Sequence, residues 1–438
     1  MYKTLFTMIA ACGLCVGCSS SDNAGIPQPG TSACSDDGQK QFVLERMNDV
    51  YLWNNLLPPS VDLSAYATAE ELLAYLISFQ PLDGFSYIDL AAADAQFFGA
   101  GEYDGYGFSS RFEAFDDLRF TRIFASSPAA QAGFARGQRV IMLDGRTIAD
   151  IQANEGVNAL FSQPTLEFTL RRTDGSEFTA IVSRGLVTID PLPQWRVIDR
   201  PDGTSVGYLE LATFVSTADA AFETVFAEFQ QANVTDVIID LRYNGGGLVS
   251  TTELLGDYMG GAVANNLVFS RTLFNANNAA SNRTRFFQQR FSSTSTSRLV
   301  VIATDRTASA SELITNSMMP HVDVSIVGAT TFGKPVGQLG IQFCEKILRP
   351  TAFESVNAND EGGYFDGLPV DCPAADDLAI AIGDDLDPNM MAALTLLDTG
   401  ACPPVIAAPQ GLTKPQQEFE FSDVDRRRTP WREFAGAW

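Results

Sequence analysis

Two apolar, β-branched runs with a short helical stretch between them constrain the fold of this chain most strongly. The runs are Leu299–Ala303 and Val322–Val327, and the stretch between them opens at Ser309 and ends at Pro320. Runs of this kind predict buried strands, and a strand, a helix and a strand in succession predict a parallel α/β sheet. Polar side chains that follow such strands meet at one edge of the sheet, where α/β proteins place functional groups.

Several polar residues stand at these positions. Ser309 opens the helix, Lys334 follows the second strand, and Gln338 comes four residues later. The spacing of Ser309 and Glu312 also fits a capping box, in which both side chains only satisfy free backbone N–H groups. The residues alone leave that interpretation open, and they do not decide between Ser309 and Ser311 as a reactive hydroxyl.

The stretch resembles the catalytic segment of the S41 serine peptidases, the C-terminal processing (tail-specific) protease family. The family's S-A-S-E and T-F-G-K-x-x-x-Q motifs stand here as residues 309–312 and 331–338, at the family's spacing. The resemblance implies that Ser309 is the nucleophile, Lys334 the general base and Gln338 the residue that orients the lysine.

A third motif, D-L-R-x-N-x-G-G, is present as Asp240–Gly247 at the end of the apolar strand Val234–Leu241. Adjacent glycines are unfavourable in backbone entropy, and they are typical of backbone that approaches a ligand closely. A simple glycine-rich turn is the alternative, and a phosphate loop is disfavoured because no Gly-Lys-Ser/Thr follows. The family resemblance implies that the N–H groups of Gly246 and Ala310 form an oxyanion hole.

The chemistry of a lysine base explains why Gln338 is an amide. The chain has a single histidine, His321, which we interpret as structural. A lysine with its ordinary pKa of ~10.4 is protonated at neutral pH, so a lysine base must be buried in apolar surroundings. A carboxylate beside Lys334 would oppose this by stabilising the ammonium, whereas Gln338 can accept a hydrogen bond without adding charge. No metal or other cofactor is predicted.

Short strands separated by glycine turns extend from about residue 103 to residue 184. Ser127–Ala130 and Gly133–Gly145 resemble a PDZ domain, which implies that Gly107 and Phe108 lie in the loop that binds the carboxylate of a peptide. A plain β-domain that uses glycine only in its turns is the alternative.

The N-terminus predicts export. Lys3 precedes an apolar run, Leu5–Val16, that is too short to span a bilayer and ends near Cys18. The pattern resembles a bacterial lipoprotein signal, which implies lipidation of Cys18 and anchoring in the outer membrane, facing the periplasm; ordinary signal-peptide cleavage is the alternative. Residues 19–37 have the composition of a flexible tether.

Charge and cysteine content bound the possible partners. The chain of 438 residues carries 29 basic and 53 acidic side chains, a net charge of −24, which disfavours nucleic acid and anionic membrane surfaces as partners. Four cysteines remain outside the signal segment, and in an exported protein they predict up to two disulfides of undetermined pairing. They are Cys34, Cys344, Cys372 and Cys402.

We therefore expect an α/β core of the crotonase-like ClpP/S41 kind with covering helices, a mostly-β PDZ-like domain and a small N-terminal helical region. The predicted boundaries are 1–18 (signal), 19–37 (tether), 38–102 (helical), 103–190 (PDZ-like), 191–400 (protease core) and 401–438 (tail). Residues 265–297 are expected to form loops and a helix over the site.

The predicted function is exported serine endopeptidase of the Ser–Lys(–Gln) type, acting on unfolded or flexible polypeptides. A catalytically inactive peptide-binding protein on the same scaffold is the main alternative, and a crotonase-like acyl-CoA enzyme is a weaker one.

Overall fold

The computed structural model describes residues 33–261 and 263–404. Cys18 with the rest of the signal segment, most of the tether and most of the C-terminal tail lie outside these ranges. The described chain begins with helices, for which Ser35 and Thr68 accept backbone N–H bonds as N-caps. These first elements are α1 (Asp36–Val50), α2 (Ala69–Ile77), β1 (Tyr87–Leu90) and α3 (Ala91–Ala100).

A region of short strands follows, which we call the β-region. Its elements are β2 (Glu102–Gly105), β3 (Phe108–Ala114), β4 (Asp117–Ile123), α4 (Pro128–Gln131), β5 (Arg139–Leu143), β6 (Arg146–Thr147), α5 (Ile148–Asn154), α6 (Val157–Phe161), β7 (Thr165–Arg171), β8 (Glu177–Ser183) and β9 (Gly185–Thr188). Antiparallel strands in the order β3-β4-β5-β7-β8 form its main sheet, with β6 paired to β5. The strand β3 therefore lies at an edge.

The remaining elements build the core. They are β10 (Gln194–Asp199), β11 (Ser205–Glu210), α7 (Ala218–Gln231), β12 (Asp236–Asp240), α8 (Val249–Gly260), β13 (Val268–Phe274), β14 (Arg283–Phe286), β15 (Arg298–Ala303), α9 (Ala310–Met318), β16 (Asp323–Gly328), β17 (Val336–Gln338), β18 (Ile341–Phe343), β19 (Lys346–Arg349), β20 (Thr351–Val356), β21 (Cys372–Pro373) and α10 (Pro388–Thr399).

The central sheet has the strand order β10-β11-β12-β15-β16-β21, and its strands from β11 onward run parallel. Both of its faces are covered. Val237 and Ile239 of β12 pack into a cluster with α7, α8 and α9, whereas Ile238 packs into a second cluster with α10. This alternation is what a strand buried on both faces requires. The prediction of an α/β chain is confirmed.

Two smaller sheets flank the site, and one corrects the sequence interpretation. Residues 265–297 were expected to form loops and a helix. The helix is wrong, because the strands β13 and β14 stand there with only a 3-10 turn, Ala276–Ser281, between them, whereas residues 287–297 are loop as expected. β13 pairs with β20, which lies some eighty residues later in the chain. Their extended conformation is set by this distant partner, and local residue patterns do not reveal it.

The start of the chain is attached to the core by several contacts. β1 pairs antiparallel with β19, and a disulfide joins Cys34 to Cys344 in the turn between β18 and β19. A second disulfide joins Cys372 in β21 to Cys402 after α10. Within the described ranges, no helix has both the length and the apolar character needed to cross a bilayer.

Candidate active site

Three of the segments singled out in the sequence follow neighbouring parallel strands. The glycine motif follows β12, the turn that leads to Ser309 follows β15, and the turn that leads to Lys334 follows β16. Because β12, β15 and β16 are adjacent and parallel, their carboxyl ends lie at the same edge of the sheet. The fold therefore brings the three motifs together.

Ser309 occupies a strained turn immediately before α9. Its φ of 56° and ψ of −112° are rare for a residue with a side chain, cost of order 1–3 kcal/mol, and are found mainly at functional sites. Ser309 is half-buried. Ser311, in contrast, is fully buried, and its hydroxyl donates to the carbonyl of Asn244 at 2.9 Å. The structure thus separates the two serines, of which Ser309 is the accessible one.

Glu312 does more than cap the helix. Ser309 and Glu312 form a capping box at the start of α9. The Glu312 carboxylate accepts N–H bonds from Ser309 at 2.9 Å, Gly333 at 2.7 Å and Lys334 at 2.7 Å, and a hydroxyl bond from Thr331 at 2.5 Å. Burial raises the pKa of this carboxyl, and the four donors oppose the rise. One side chain therefore joins the serine turn to the lysine turn.

Lys334 is buried beside a neutral acceptor. Its side chain is only 4% exposed, and Nζ donates to Oε1 of Gln338 at 3.0 Å. The amide Nε2 of Gln338 donates in turn to the carbonyl of Phe85 at 2.7 Å. The lysine and the glutamine predicted to act together are therefore in direct contact.

Burial lowers the pKa of Lys334 from 10.5 to about 8, and the positive charge of Arg349 acts in the same direction. The negative charges of Asp83 and Glu312 oppose this shift. At pH 7 a group with this pKa is neutral in about a tenth of the molecules, compared with well under a thousandth for an ordinary lysine. The site therefore supplies a neutral amine near physiological pH.

Among the hydrogen bonds of the described residues, none joins Ser309 Oγ to Lys334 Nζ. The two residues are connected through their backbones, because Ser309 N–H and Lys334 N–H donate to the same Glu312 oxygen. Catalytic hydrogen bonds are commonly long before substrate binds and tighten in the complex. A small side-chain movement is thus needed before a proton can pass between the two groups.

Gly246 and Ala310, the predicted oxyanion-hole donors, lie side by side. An added Cβ at Gly246 would be 2.8 Å from the nitrogen of Ala310 and 2.8 Å from Cβ of Ser309. Ala310 is the first residue of α9, and in the described chain its N–H has no backbone acceptor, as expected at a helix start. The N–H of Gly246 is engaged, since it donates to Oδ1 of Asn244 at 2.9 Å. Gly246 must leave Asn244 before it can act as a second donor.

A buried arginine lies beside the glycine motif, and its role was not predicted. Arg242 is almost fully buried and donates to Asp240 at 2.6 Å and to Asp387, the N-cap of α10, at 2.5 Å. Asp376, in the loop after β21, also contacts Arg242, at 3.2 Å. These carboxylates compensate the buried guanidinium and hold the end of β12 against the C-terminal part of the core.

Asp376 also connects the core to the β-region. It accepts from Arg111 of β3 at 2.5 Å and from Arg136 at 2.7 Å, and it contacts the Tyr243 hydroxyl. Burial alone would raise the pKa of Asp376, but the charges of Arg136, Arg111 and Arg242 hold it below its usual value. The carboxylate is therefore ionised where it joins the two parts of the molecule.

The two residues assigned to peptide binding differ in their surroundings. The ring of Phe108 is fully buried and packs against Phe120 and Phe168, so it belongs to the core of the β-region. Gly107 has a φ of 89°, and its carbonyl accepts from Phe124 N–H at 3.0 Å. Only backbone groups of this loop remain as candidates for contact with a peptide. Cys18, the predicted lipidation site, lies outside the described residues.

The remaining candidate groups are the histidine and possible metal ligands. The ring nitrogen Nε2 of His321 donates to the carbonyl of Val268 at 2.8 Å, and the ring packs against Phe287. In the part of the chain that the structure describes, no group of three or more His, Cys, Asp or Glu side chains is arranged to hold a metal ion.

Sequence reasoning missed Asp376 as a partner of Arg242 and Phe85 as a partner of Gln338. The residues around Phe85 give no local sign of this contact, because Gln338 lies 253 residues later in the chain. Asp376 carries no local signal, since it lies in an irregular loop.

Comparison with known proteins agrees with this geometry. The family model described as Peptidase family S41 matches residues 205–366, and the model for the Peptidase S41 N-terminal domain matches residues 38–87. The carboxyl-terminal-processing protease of Synechocystis sp. is 25% identical over 240 residues, which cover 53% of each chain. The carboxy-terminal-processing protease of Bartonella bacilliformis is 25% identical over 285 residues, or 60% of this chain and 61% of that protein.

The chain spans about half the length of the curated relatives it matches. A crystal structure from Bacteroides fragilis NCTC 9343, assigned to the S41 proteases, shares the fold with a TM-score of 0.65 and 20% identity, and the match covers 82% of this chain and 97% of that one. The motifs and the two family models agree: residues 38–87 and 205–366 of this chain match peptidase family S41, and the fold is shared with the Bacteroides fragilis structure.

Proposed function

We propose that this chain is an exported serine endopeptidase in which Ser309 is the nucleophile and Lys334 the general base. The observation that carries the proposal is the setting of Lys334: a buried ammonium with a lowered pKa whose hydrogen-bond partner is a neutral amide. Such a group is poorly suited to a structural ion pair and well suited to proton transfer near neutral pH.

The reaction follows from these groups. Neutral Lys334 takes the proton of the Ser309 hydroxyl as the oxygen attacks a peptide carbonyl, and the resulting tetrahedral oxyanion is held by the N–H of Ala310 and a second N–H from Gly246. Collapse of this intermediate breaks the C–N bond, and the lysine returns the proton to the leaving amine. Water, deprotonated by the same lysine, then hydrolyses the acyl-enzyme and regenerates Ser309.

The β-region is proposed to present the substrate in the manner of a PDZ domain. Its edge strand β3 follows Gly107 directly, and Arg111 of the same strand contacts Asp376 of the core at 2.5 Å. A polypeptide added alongside β3 would be recognised through its backbone, which favours extended, unfolded substrates. The relatives named as carboxyl-terminal-processing proteases support polypeptides as the substrate class.

Export and anchoring remain part of the proposal. The N-terminal sequence resembles a lipoprotein signal with lipidation at Cys18, and the two disulfides, Cys34–Cys344 and Cys372–Cys402, suit an oxidising compartment such as the periplasm. Metabolic labelling with a palmitate analogue, with Cys18→Ala as control, tests the anchor. Loss of label in the variant supports it, and an unlabelled wild type contradicts it.

Cleavage of casein and labelling by a fluorophosphonate test the peptidase. We expect wild type to cleave and to carry the label on Ser309, and Ser309→Ala and Lys334→Ala to lose cleavage by at least a thousandfold. Ser311→Ala and Lys346→Ala are the matched controls that retain it. Equal cleavage by wild type and both site variants, or no cleavage of any unfolded substrate, overturns the proposal. Binding without cleavage would instead favour a peptide-binding protein.

A further inference from the structure

The segment before β1 reaches into the site from the other end of the chain. Phe85 is 6% exposed, and its ring centre lies 5.2 Å from Nζ of Lys334. The ring also packs edge-on against Phe332, with the two centres 6.3 Å apart. The ring therefore covers a side of Lys334 that the residues close to the lysine in sequence leave open.

The backbone of Phe85 controls the orientation of Gln338. A glutamine amide has one accepting end and one donating end, and here the donating end binds the carbonyl of Phe85 while the accepting end faces Lys334. The reversed amide would place two donors, Nε2 and Nζ, against each other and two acceptors against each other. The Phe85 carbonyl thus fixes the only favourable orientation for accepting a bond from the lysine.

The ring acts on the lysine in two opposing ways. It excludes water, which destabilises the ammonium, and its face attracts the ammonium, which stabilises it. The other charged groups that act on Nζ are Asp83 and Glu312, which favour the ammonium, and Arg349, which disfavours it. Since burial is the largest influence on this group, we expect water exclusion to outweigh the attraction of the ring.

The segment is held firmly in place. Asp83 is buried, and its Oδ1 accepts the N–H groups of Phe85 and Ser86, both at 3.0 Å. Oδ2 of Asp83 accepts the Ser86 hydroxyl at 2.6 Å, and that hydroxyl oxygen accepts Thr351 N–H at 2.8 Å at the start of β20. The turn that carries Phe85 is therefore part of the core and not a loose approach to it.

We propose that Phe85 is a positioning residue of the peptidase, whose ring keeps water from Lys334 and whose carbonyl orients Gln338, so that the N-terminal part of the chain completes the base. This inference rests on the proposed function. It assigns the segment Asp83–Tyr87 a role in catalysis that acts through Lys334 and not through the substrate.

The test measures the lysine directly. The chain has only five lysines, at positions 3, 40, 334, 346 and 414, so the spectrum of a ¹³C-lysine NMR titration of the purified protein contains few signals. The variant Lys334→Arg identifies the signal of Lys334. In Phe85→Ala we expect the pKa of Lys334 to rise toward the ordinary lysine value and the midpoint of the pH–kcat/KM profile to rise by about one pH unit or more. Activity should fall about tenfold at pH 7 and recover partly at pH 9.5.

Two further variants sharpen the result. Phe85→Leu keeps apolar cover without the ring, so its pH midpoint should be no higher than that of wild type. If Phe85→Ala does not fold, Phe85→Thr, whose small polar side chain admits water, replaces it with the same expected rise. Phe343→Ala is the matched control, because Phe343 is a buried phenylalanine that packs against Phe42 of α1 and does not contact Lys334. It should lower the melting temperature and leave the pH midpoint unchanged.

An unchanged or lowered Lys334 pKa in Phe85→Ala overturns this inference, and so does an equal shift in Phe343→Ala. Neither result affects the proposed function, which depends on whether wild type cleaves and Ser309→Ala does not. If wild type does not cleave, but Phe85→Ala still raises the Lys334 pKa in the NMR titration, the proposed peptidase function is overturned and the structural role of Phe85 stands.

Discussion

Ser309 and Lys334 donate their backbone N–H groups to the same oxygen, Oε2 of Glu312, at 2.9 and 2.7 Å. The other oxygen of this buried carboxylate accepts from Gly333 N–H and the Thr331 hydroxyl. The relative position of the proposed nucleophile and base is therefore set by one side chain on the first turn of α9. A carboxylate suits this position because both of its oxygens are acceptors.

Glu312→Gln should disrupt this arrangement although it preserves shape. One oxygen becomes an NH₂ group, so two buried donors lose their acceptor, at a cost of about 1–3 kcal/mol each. We expect the free energy of unfolding to fall by about 2–6 kcal/mol and kcat to fall at least tenfold. Urea unfolding and casein cleavage measure both effects. Glu345→Gln, at an exposed position, is the control, and equal behaviour of the two variants would contradict the assignment.

Lys334→Met should stabilise the protein while abolishing cleavage. The folded pKa of about 8 lies below the ordinary value of 10.5, so the unfolded chain binds the lysine proton more tightly than the folded one. The resulting loss in the free energy of unfolding is about 3 kcal/mol, at ~1.36 kcal/mol per pH unit. This loss is complete below pH 8 and disappears as the pH rises to about 10.5. The unpaired Gln338 oxygen offsets part of the gain.

We therefore expect Lys334→Met to raise the melting temperature at pH 6–7 and to lose this advantage near pH 10. Thermal unfolding across this pH range is the measurement. Lys346→Met, which removes an ion pair with Glu70, should give no such gain. A gain that is independent of pH would mean that Lys334 is not destabilised by burial of its charge.

Gly246→Ala should abolish the proposed peptidase activity. The residue has a φ of 101°, and its added Cβ would lie 2.8 Å from both Cβ of Ser309 and N of Ala310. Strain at such a backbone position costs of order 1–3 kcal/mol before the steric overlap is relieved by movement of the serine turn. Cleavage rate and fluorophosphonate labelling should both fall at least a hundredfold. Gly99→Ala in α3, where nothing lies within 4 Å of the new Cβ, should remain active and be equally or more stable.

Asp376→Asn should loosen the β-region from the core. The neutral amide leaves Arg111, Arg136 and Arg242 without their shared carboxylate, and breaking a largely buried ion pair typically costs about 3–5 kcal/mol. Hydrogen exchange should increase in β3 and β4 more than in β12 and β15. Because the folded pKa of Asp376 is lowered, its stabilising effect is present above the unfolded value of ~3.9 and is lost as the pH falls below it.

The control for this variant is Asp377→Asn. Asp377 is exposed, and its side chain accepts the N–H of Ala379, a bond that asparagine retains. Similar exchange in the two variants would show that Asp376 does not hold the β-region in place.

The elements that the sequence predicts well are those whose signal is local. Leu299–Ala303 and Val322–Val327 are strands β15 and β16 within one residue at each end, and the helix between them is α9. Continuous β-branched runs and a polar helix start are sufficient for such predictions. The α/β class follows from them, whereas the resemblance to the S41 family rests on the motifs at residues 240–247, 309–312 and 331–338.

Features that depend on distant partners could not be predicted. The β13–β20 pairing, the contact between Asp376 and Arg242 and the bond from Gln338 to Phe85 each join parts of the chain that no local pattern relates. Four cysteines allow three pairings, so the disulfides also required the structure. Only the backbone angles of the turn gave a physical reason to choose Ser309 over Ser311.

The bond between Phe85 and Gln338 spans 253 residues, which has a consequence for the proposed peptidase during its own synthesis. A chain that is still emerging from the ribosome carries its first hundred residues long before residue 338 appears. Until Phe85 and Gln338 have met, the proposed base lacks both its cover and its oriented amide. The proposed activity thus arises only in the finished molecule.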